Sequence, residues 1–443
     1  MATTATAPHA ASGGAGDLLE RLRRATRTTP GWLRVVSVAV VALMVLLAGI
    51  AAVGISARRA SIDRTATRLE PLVVASQDAH ASLVEADAAA AAAFLSGGVE
   101  DATQRTAYSS ALARAARHLQ AAAESGSGDA TTQKAVREAS EQVSVYAGLV
   151  ERARSNNRLG YPVGAAYLRV GSDLMHDEII PAVERLGTRG DASLDDEYDN
   201  GQSTNAGIGI VLAIFLGGAV LLLVVLQRFL AARTRRLLNP LLVAATAVAV
   251  MAGLWLAAGL VRQADALGDA RVNAYELISA ASRARSTAFD ARADENLALI
   301  ARGNGARFND EFATAVGVMG NESAAALGEV VESAKRSDER GDALRAASAW
   351  AAYLDAHARV VELVANGDQL GAVASSLGPS QEAFEAFDNT LSGLIRANQA
   401  EFTRGVDAAD GAVAPLIPVA LIAALLVSLL TLLGVAPRIA EYR

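Results

Sequence analysis

The chain has no cysteine, so disulfides, thiol nucleophiles and Cys-ligated metals are excluded. Lysine is nearly absent: Lys134 and Lys335 stand against a background of arginine. Histidine is scarce too, and His9, His80, His118, His176 and His357 show neither His-x3-His nor His-Glu-x-x-His spacing. No glycine-rich loop suited to a phosphate is present, and no stretch sustains the alternation of a strand. These absences argue against an enzyme and imply neither a metal nor an organic cofactor.

A second absence falls inside four hydrophobic runs, 33–55, 206–227, 241–261 and 412–436, which between their ends contain no Asp, Glu, Lys, Arg or His, Arg34 lying at the very start of the first. Each has the roughly 20 residues that an α-helix needs to cross a bilayer. Proton and ion pathways use intramembrane ionisable groups, so four such helices alone do not read as a transporter or channel. The first run is longer than a signal-peptide core, and Ser56-Ala57-Arg58-Arg59 is a poor cleavage site; it reads as a retained anchor.

Charge then sets the expected topology. Of 47 acidic residues, only Asp17, Glu20 and Glu441 lie outside the polar segments 56–205 and 262–411. Arginines crowd the other segments: the 1–32 tail, the 228–240 loop with Arg233, Arg235 and Arg236, and the 437–443 tail. The positive-inside rule makes both termini and the basic loop cytoplasmic, against anionic lipid, and both polar segments extracytoplasmic. A multi-pass protein of the cell membrane is the expectation.

The halves align at an offset near 210, pairing Phe94-Leu95-Ser96-Gly97-Gly98 with Ile300 to Gly305 and Leu159-Gly160 with Leu370-Gly371. Apolar spacing within each polar segment is helical. The stripes are Tyr108, Ala111, Ala115, Leu119 and Ala122; then Val136, Ala139, Val143, Tyr146, Val150 and Ala153; and Ala347, Trp350, Leu354, His357, Val361 and Val364. Breakers at Gly97-Gly98, Ser125 to Gly128 and Gly160 to Pro162, and at Gly303 to Gly305, Ser337 to Gly341 and Asn366 to Asp368, cut each segment into four helices. The expected fold is an all-α membrane protein with four transmembrane helices and two tandem extracytoplasmic stalked four-helix bundles from an internal duplication.

Candidate functional residues follow from that geometry. Gly97, Gly98, Asn157, Arg158, Asn304 and Asp368 fall at the expected membrane-distal tips and suit an extracytoplasmic partner. Arg233, Arg235 and Arg236 form the one interior loop held between two spans and suit a cytoplasmic partner. Pro181 should kink its helix by removing a backbone hydrogen bond. His176-Asp177-Glu178 reads as a solvated face, and His357 as a satisfied core histidine. Trp255 is expected to pack mid-span, and Gly217-Gly218 to serve helix packing. Arg114, Arg117, Arg154, Arg158 and Arg169 could hold a carboxylate, although arginines on long helices ordinarily form solvated faces.

Arg235-Arg236-Leu237-Leu238-Asn239-Pro240 before the third span and the tail Pro437 to Arg443, with the four-span architecture, resemble GlnX-type membrane proteins of actinobacterial amino-acid sensing. Tyr167 to Met175 and Ile180-Pro181-Ala182 resemble the last helix of chemoreceptor-like four-helix-bundle sensors. The resemblance implies signal relay, with a GlnH-like solute-binding lipoprotein outside and a PknG-like Ser/Thr kinase inside as partners. Direct small-molecule reception, or an accessory role in an envelope or export complex, are the alternatives.

Overall fold

The computed structural model describes residues 29–97, 102–234, 239–320 and 325–440, and no strand occurs among them. Gly98, Arg235 and Arg236 lie outside the described residues, as does the side chain of Arg233. The chain divides into two compact units.

The first unit comprises the described residues of 1–59, 201–263 and 410–443. Its helices are α1 (Thr29–Arg64), the later part of α6 (Ile180–Thr234), α7 (Pro240–Asp269) and α14 (Leu416–Ala440). All four are long and apolar enough to cross a bilayer. They share one core in which Val40 and Met44 meet Ala219 and Leu223, Ala245 and Ala249, and Val427. Small residues let the backbones approach, as at Gly259, where an added Cβ would lie 2.6 Å from Leu416. Gly218 approaches Leu43 in the same way, whereas Gly217 faces open space. Trp255, expected to pack, is instead 53% exposed on the apolar surface. Trp32 packs on Phe229 with the rings tilted at 34° and their centroids 4.2 Å apart.

The second unit holds both polar segments, residues 60–200 and 264–409, in one body where two tandem bundles were expected. The first segment contributes α2 (Glu70–Leu95), α3 (Ala102–Ser125), α4 (Ala130–Arg158), α5 (Val163–Leu174) and the start of α6. The second contributes α8 (Glu276–Ala301), α9 (Ala306–Met319), α10 (Ala326–Ser333), α11 (Ser337–Ala365), α12 (Gln369–Ser375) and α13 (Gln381–Val413). Helices α2 and α8 pack against each other along the middle. That position explains the run Ala88 to Ala93, all of it buried: a helix covered on every side must be apolar all round, and alanine permits close approach.

The stripes expected on α3 and α4 are buried as spaced. On α11 the buried set is Ala343, Ala346, Trp350, Tyr353 and Val360, about one residue out of phase with the expected stripe. Aromatic packing decides this. Trp350 meets Phe387 at 5.3 Å and Tyr353 meets Phe384 at 5.4 Å, which leaves Val361 and Val364 exposed. The break expected at Ser337 to Gly341 is the opening of α11. There the Glu339 carboxylate accepts from the Arg336 backbone N–H, and acidic residues suit a helix N-terminus. The true breaks flank α10.

Turn geometry revises the internal alignment. Gly160 and Gly367 both adopt left-handed conformations, with φ of 72° and 77°. Each closes a Schellman motif: Tyr161 N–H bonds Asn156 O at 2.9 Å, and Asp368 N–H bonds Leu363 O at 2.9 Å. Gly160 therefore corresponds in geometry to Gly367, not to Gly371.

Among the described residues four π turns interrupt the helices, at Thr65–Leu69, Met175–Ile179, Ala270–Tyr275 and Ser376–Ser380. Pro71, Pro181 and Pro379 sit in or just beyond three of them. Proline offers no N–H to an α ladder, and a wider turn lets neighbouring groups find partners. Before Pro181, where a kink was expected, the chain forms such a π turn, in which Ile180 N–H reaches back to Met175 O.

Candidate signal-sensing site

Two buried carboxylates mark equivalent places in the two segments. Asp87, on α2, is 2% exposed and accepts from Tyr146 Oη at 3.0 Å and Ser172 Oγ at 2.7 Å. Glu295, on α8, accepts from Ser376 Oγ at 2.7 Å and Ser380 Oγ at 3.0 Å, and Tyr353 lies buried on the facing helix. In each case the carboxylate comes from the central helix. Its partners come from the long helix that follows the Ser125 or Arg336 turn and from a π turn or the residues just before it.

Their charge balance differs. Glu295 has Arg292 Nη1 at 2.5 Å and His357 Nδ1 at 2.7 Å. Burial pushes its pKa up, but Arg292 and the His357 contact outweigh that and hold it at about 2. His357 is also stacked on Phe312 at 3.7 Å, the satisfied core histidine that was expected.

Asp87 has no guanidinium partner among its described contacts. It has His176, whose Nε2 is 3.4 Å away. His176 also faces Asp290 of the second segment, Nδ1 to Oδ1 3.9 Å. Burial would lower the His176 pKa, yet the Asp87 contact and the charges of Asp290 and Asp294 raise it to about 9. The two second-segment acids are raised as well, which favours their neutral forms. Burial lifts Asp290 to about 6, and burial with the nearby Glu311 lifts Asp294 to about 8. Of the solvated face expected at His176-Asp177-Glu178, Asp177 and Glu178 are exposed, whereas His176 lies in the π turn among carboxylates of both segments.

Further polar contacts join the segments. Arg285 on α8 pairs with Asp388 at 2.5 Å and reaches Glu85 on α2 at 3.6 Å. Glu85 also accepts from Arg114 at 2.6 Å, so this arginine is engaged within the protein. Arg154 pairs with Glu151 and lies over the Tyr108 ring. Asp173 meets Arg307 at 3.0 Å, and the Tyr275 hydroxyl donates to Asp191.

The tip residues are brought together in part. Gly97 caps α2 with φ of 75°, and Asn157 Nδ2 donates to Phe94 O at 2.9 Å, tying α4 to that end. Arg158 is the last residue of α4. Asn304 closes a 3-10 turn after α8, and Asp368 caps α12 by accepting from Gly371 N–H at 2.8 Å. Leu95 packs with Leu299, Val360 and Ala372, so these ends of the two segments meet. Asp87, Arg292 and Glu295 escaped the sequence reading, and His176 was placed on the wrong face. The usable signal was charge inside alanine-rich helices, at Asp87 within Ala86 to Ala93 and at Arg292 and Glu295 spaced i,i+3.

No group of three or more His, Asp or Glu able to hold a metal occurs among the described residues. Between the segments lies a cleft of about 830 Å³, lined from the first by Ser76, His80 and Glu184 and from the second by Ser282, Arg283 and Asp290.

Residues 61–199 match the family model of an actinobacterial sensor domain. No curated protein and no solved structure matches the chain. The match starts just beyond the first apolar run and takes in Asp87, Tyr146, Ser172 and His176. With four helices able to cross a bilayer, the chain is a multi-pass membrane protein in which residues 61–199 resemble a sensor domain.

Proposed function

We propose that the protein relays an extracytoplasmic amino-acid signal across the membrane to a cytoplasmic Ser/Thr kinase, through a solute-binding lipoprotein outside, with no catalysis of its own. The observation that carries the reading is a sensor-domain match on residues whose helices run into apolar spans. One uninterrupted helix, Ile180–Thr234, includes both the end of the matched region and the second span. Small shifts of packed helices are a known route for a two-state signal. In this reading both polar segments are extracytoplasmic, in keeping with the charge split, and arose by duplication. Support for duplication comes from the paired Schellman turns, the paired buried carboxylates and two π turns per half. The outer partner docks on the meeting ends at Gly97, Asn157, Arg158, Asn304 and Asp368; Gly98, which follows Gly97 in the sequence, is assigned to the same partner. Arg233, Arg235 and Arg236 serve the kinase.

The test replaces those three arginines with glutamine and recovers the protein from membranes with its partners. Loss of kinase with retention of the lipoprotein is expected, with protease protection in sealed cells verifying topology, since the same arginines orient the spans. Recovery of an envelope ATPase, with neither partner, would replace relay by an accessory role.

A further inference from the structure

The register that pairs Gly160 with Gly367 also pairs α4 with α11 residue for residue. Both helices are 29 residues long, and Tyr146 falls on Tyr353. Every residue buried on α11, from Glu339 to Val360, is matched by a buried residue of α4. The two helices therefore turn the same side inward. What differs between them is the chemistry of the side turned out.

Leu344, Ala347, Ala351, Leu354, Ala358 and Val361 succeed one another along α11 at alternating steps of three and four. That is the spacing by which one helix presents a continuous seam to another. The seam runs beside the buried face and not within it: Leu344 is 54% and Val361 49% exposed, and Ala351 and Ala358 are exposed as well. The matching positions of α4 are Arg137, Ser140, Ser144, Ala147, Glu151 and Arg154. The same helix position in the same fold thus accepts polar residues at all of these places but Ala147. Packing within the chain does not demand the apolar seam, and an apolar row over about 26 Å of exposed helix calls for a cover.

Charge selects the cover. No charged residue lies on the seam, and its exposed flank is balanced, with Arg345 and Arg359 against Asp355 and Glu362. A surface that meets its own copy across a two-fold axis brings like charge against like, so it must carry no excess of one sign. The α11 seam meets that condition. The α4 face, with Arg137 and Arg154 against Glu151, does not. We propose that the α11 seam is the contact between two copies of this chain. The pairing is independent of the relay, since it can be measured with neither a kinase nor a lipoprotein present.

Because the chain has no cysteine, single introduced cysteines can report the contact in native membranes. Ala351→Cys, Leu354→Cys and Ala358→Cys, each oxidised in membranes, should give a disulfide-linked dimer from at least one position, since a disulfide needs Cα atoms within about 7 Å. Ser144→Cys and Glu151→Cys, the α4 counterparts of the first and third, should not. The second arm is sedimentation equilibrium of the full chain in detergent. Leu344→Arg with Val361→Arg installs the residues that α4 carries at Arg137 and Arg154, so the fold should hold, as circular dichroism will verify. The dimer dissociation constant should rise about tenfold or more, because like charges then face each other across the axis. Cross-linking confined to the seam, with a dimer that the double variant weakens, supports the proposal. It is overturned by the lack of any seam cross-link, by equal cross-linking on α4, or by a dimer unmoved in the folded double variant. Seam cysteines that capture a different protein in place of a second copy also overturn it. If the double variant misfolds, the cysteine comparison decides alone.

Discussion

Asp87 and Glu295 occupy corresponding places, yet one is neutralised inside its own segment and the other across a boundary. Glu295 has Arg292 one turn away on the same helix, with His357 and two serine hydroxyls from its own segment. Asp87 has hydroxyls from its own segment, but its cation, His176, is shared with Asp290 of the other. A guanidinium stays charged at any physiological pH, whereas an imidazole between carboxylates can lose its proton. The second-segment site is therefore a fixed strut. The first-segment site is responsive to pH and to whatever else approaches Asp290.

Removing the strut should do the most damage. Arg292→Met strands Glu295 in the core and should cost about 3–5 kcal/mol by chemical denaturation, and Arg292→Met with Glu295→Leu should recover much of that. If the double variant is no better than the single, Arg292 matters chiefly for its bonds to Ser376 O and Gln381, and the contrast weakens.

Asp87→Asn tests the other side. It keeps the shape but removes the charge, at an expected cost of about 1–3 kcal/mol. The His176 pKa should fall from about 9 toward its ordinary value, because the Asp87 contact is the main force holding it up. An imidazole NMR titration reads this directly. An unmoved His176 would mean that Asp290 and Asp294 alone hold the proton.

The pH dependence of stability has a sign that separates the sites. Asp290, Asp294 and His176 all have raised values in the folded protein. The folded state thus binds more protons than the unfolded one, and stability falls as pH rises from about 4 to about 9. Glu295 is depressed to about 2, so its contribution is lost as pH falls from the ordinary carboxylate range toward that value. Asp294→Asn should flatten the high-pH loss and leave the acid limb unchanged. Denaturant midpoints across pH measure both limbs.

Much of this fold was legible because its signals are local. The four apolar runs need only a count of residues, and the stripes on α3 and α4 need only the helical period. The α11 stripe slipped because Trp350 and Tyr353 follow their aromatic partners on α13, which spacing within one helix does not contain. Asp87 and Glu295 were hidden for a related reason. A carboxylate in a helix reads as solvent-facing until the neighbours on the other faces are known, and here those neighbours lie 59 to 85 positions away. His176 was misplaced because a π turn changes the angle between successive side chains, and ordinary helical spacing puts it on the wrong face.

The π turns also bear on how such a chain can change length. Each accommodates one residue more than an α-helix would in the same run, and 3.6 residues per turn makes one residue worth about 100° of rotation and 1.5 Å of rise. At Met175–Ile179 the surplus residue sits between α5, which packs on α4, and α6, which continues the helix. A one-residue deletion inside that run leaves plain helix with both flanks still in step. The same deletion in the middle of α3 or α4 rotates half a buried stripe into solvent. Single-residue length variation should therefore be tolerated at the four π turns and rejected between them.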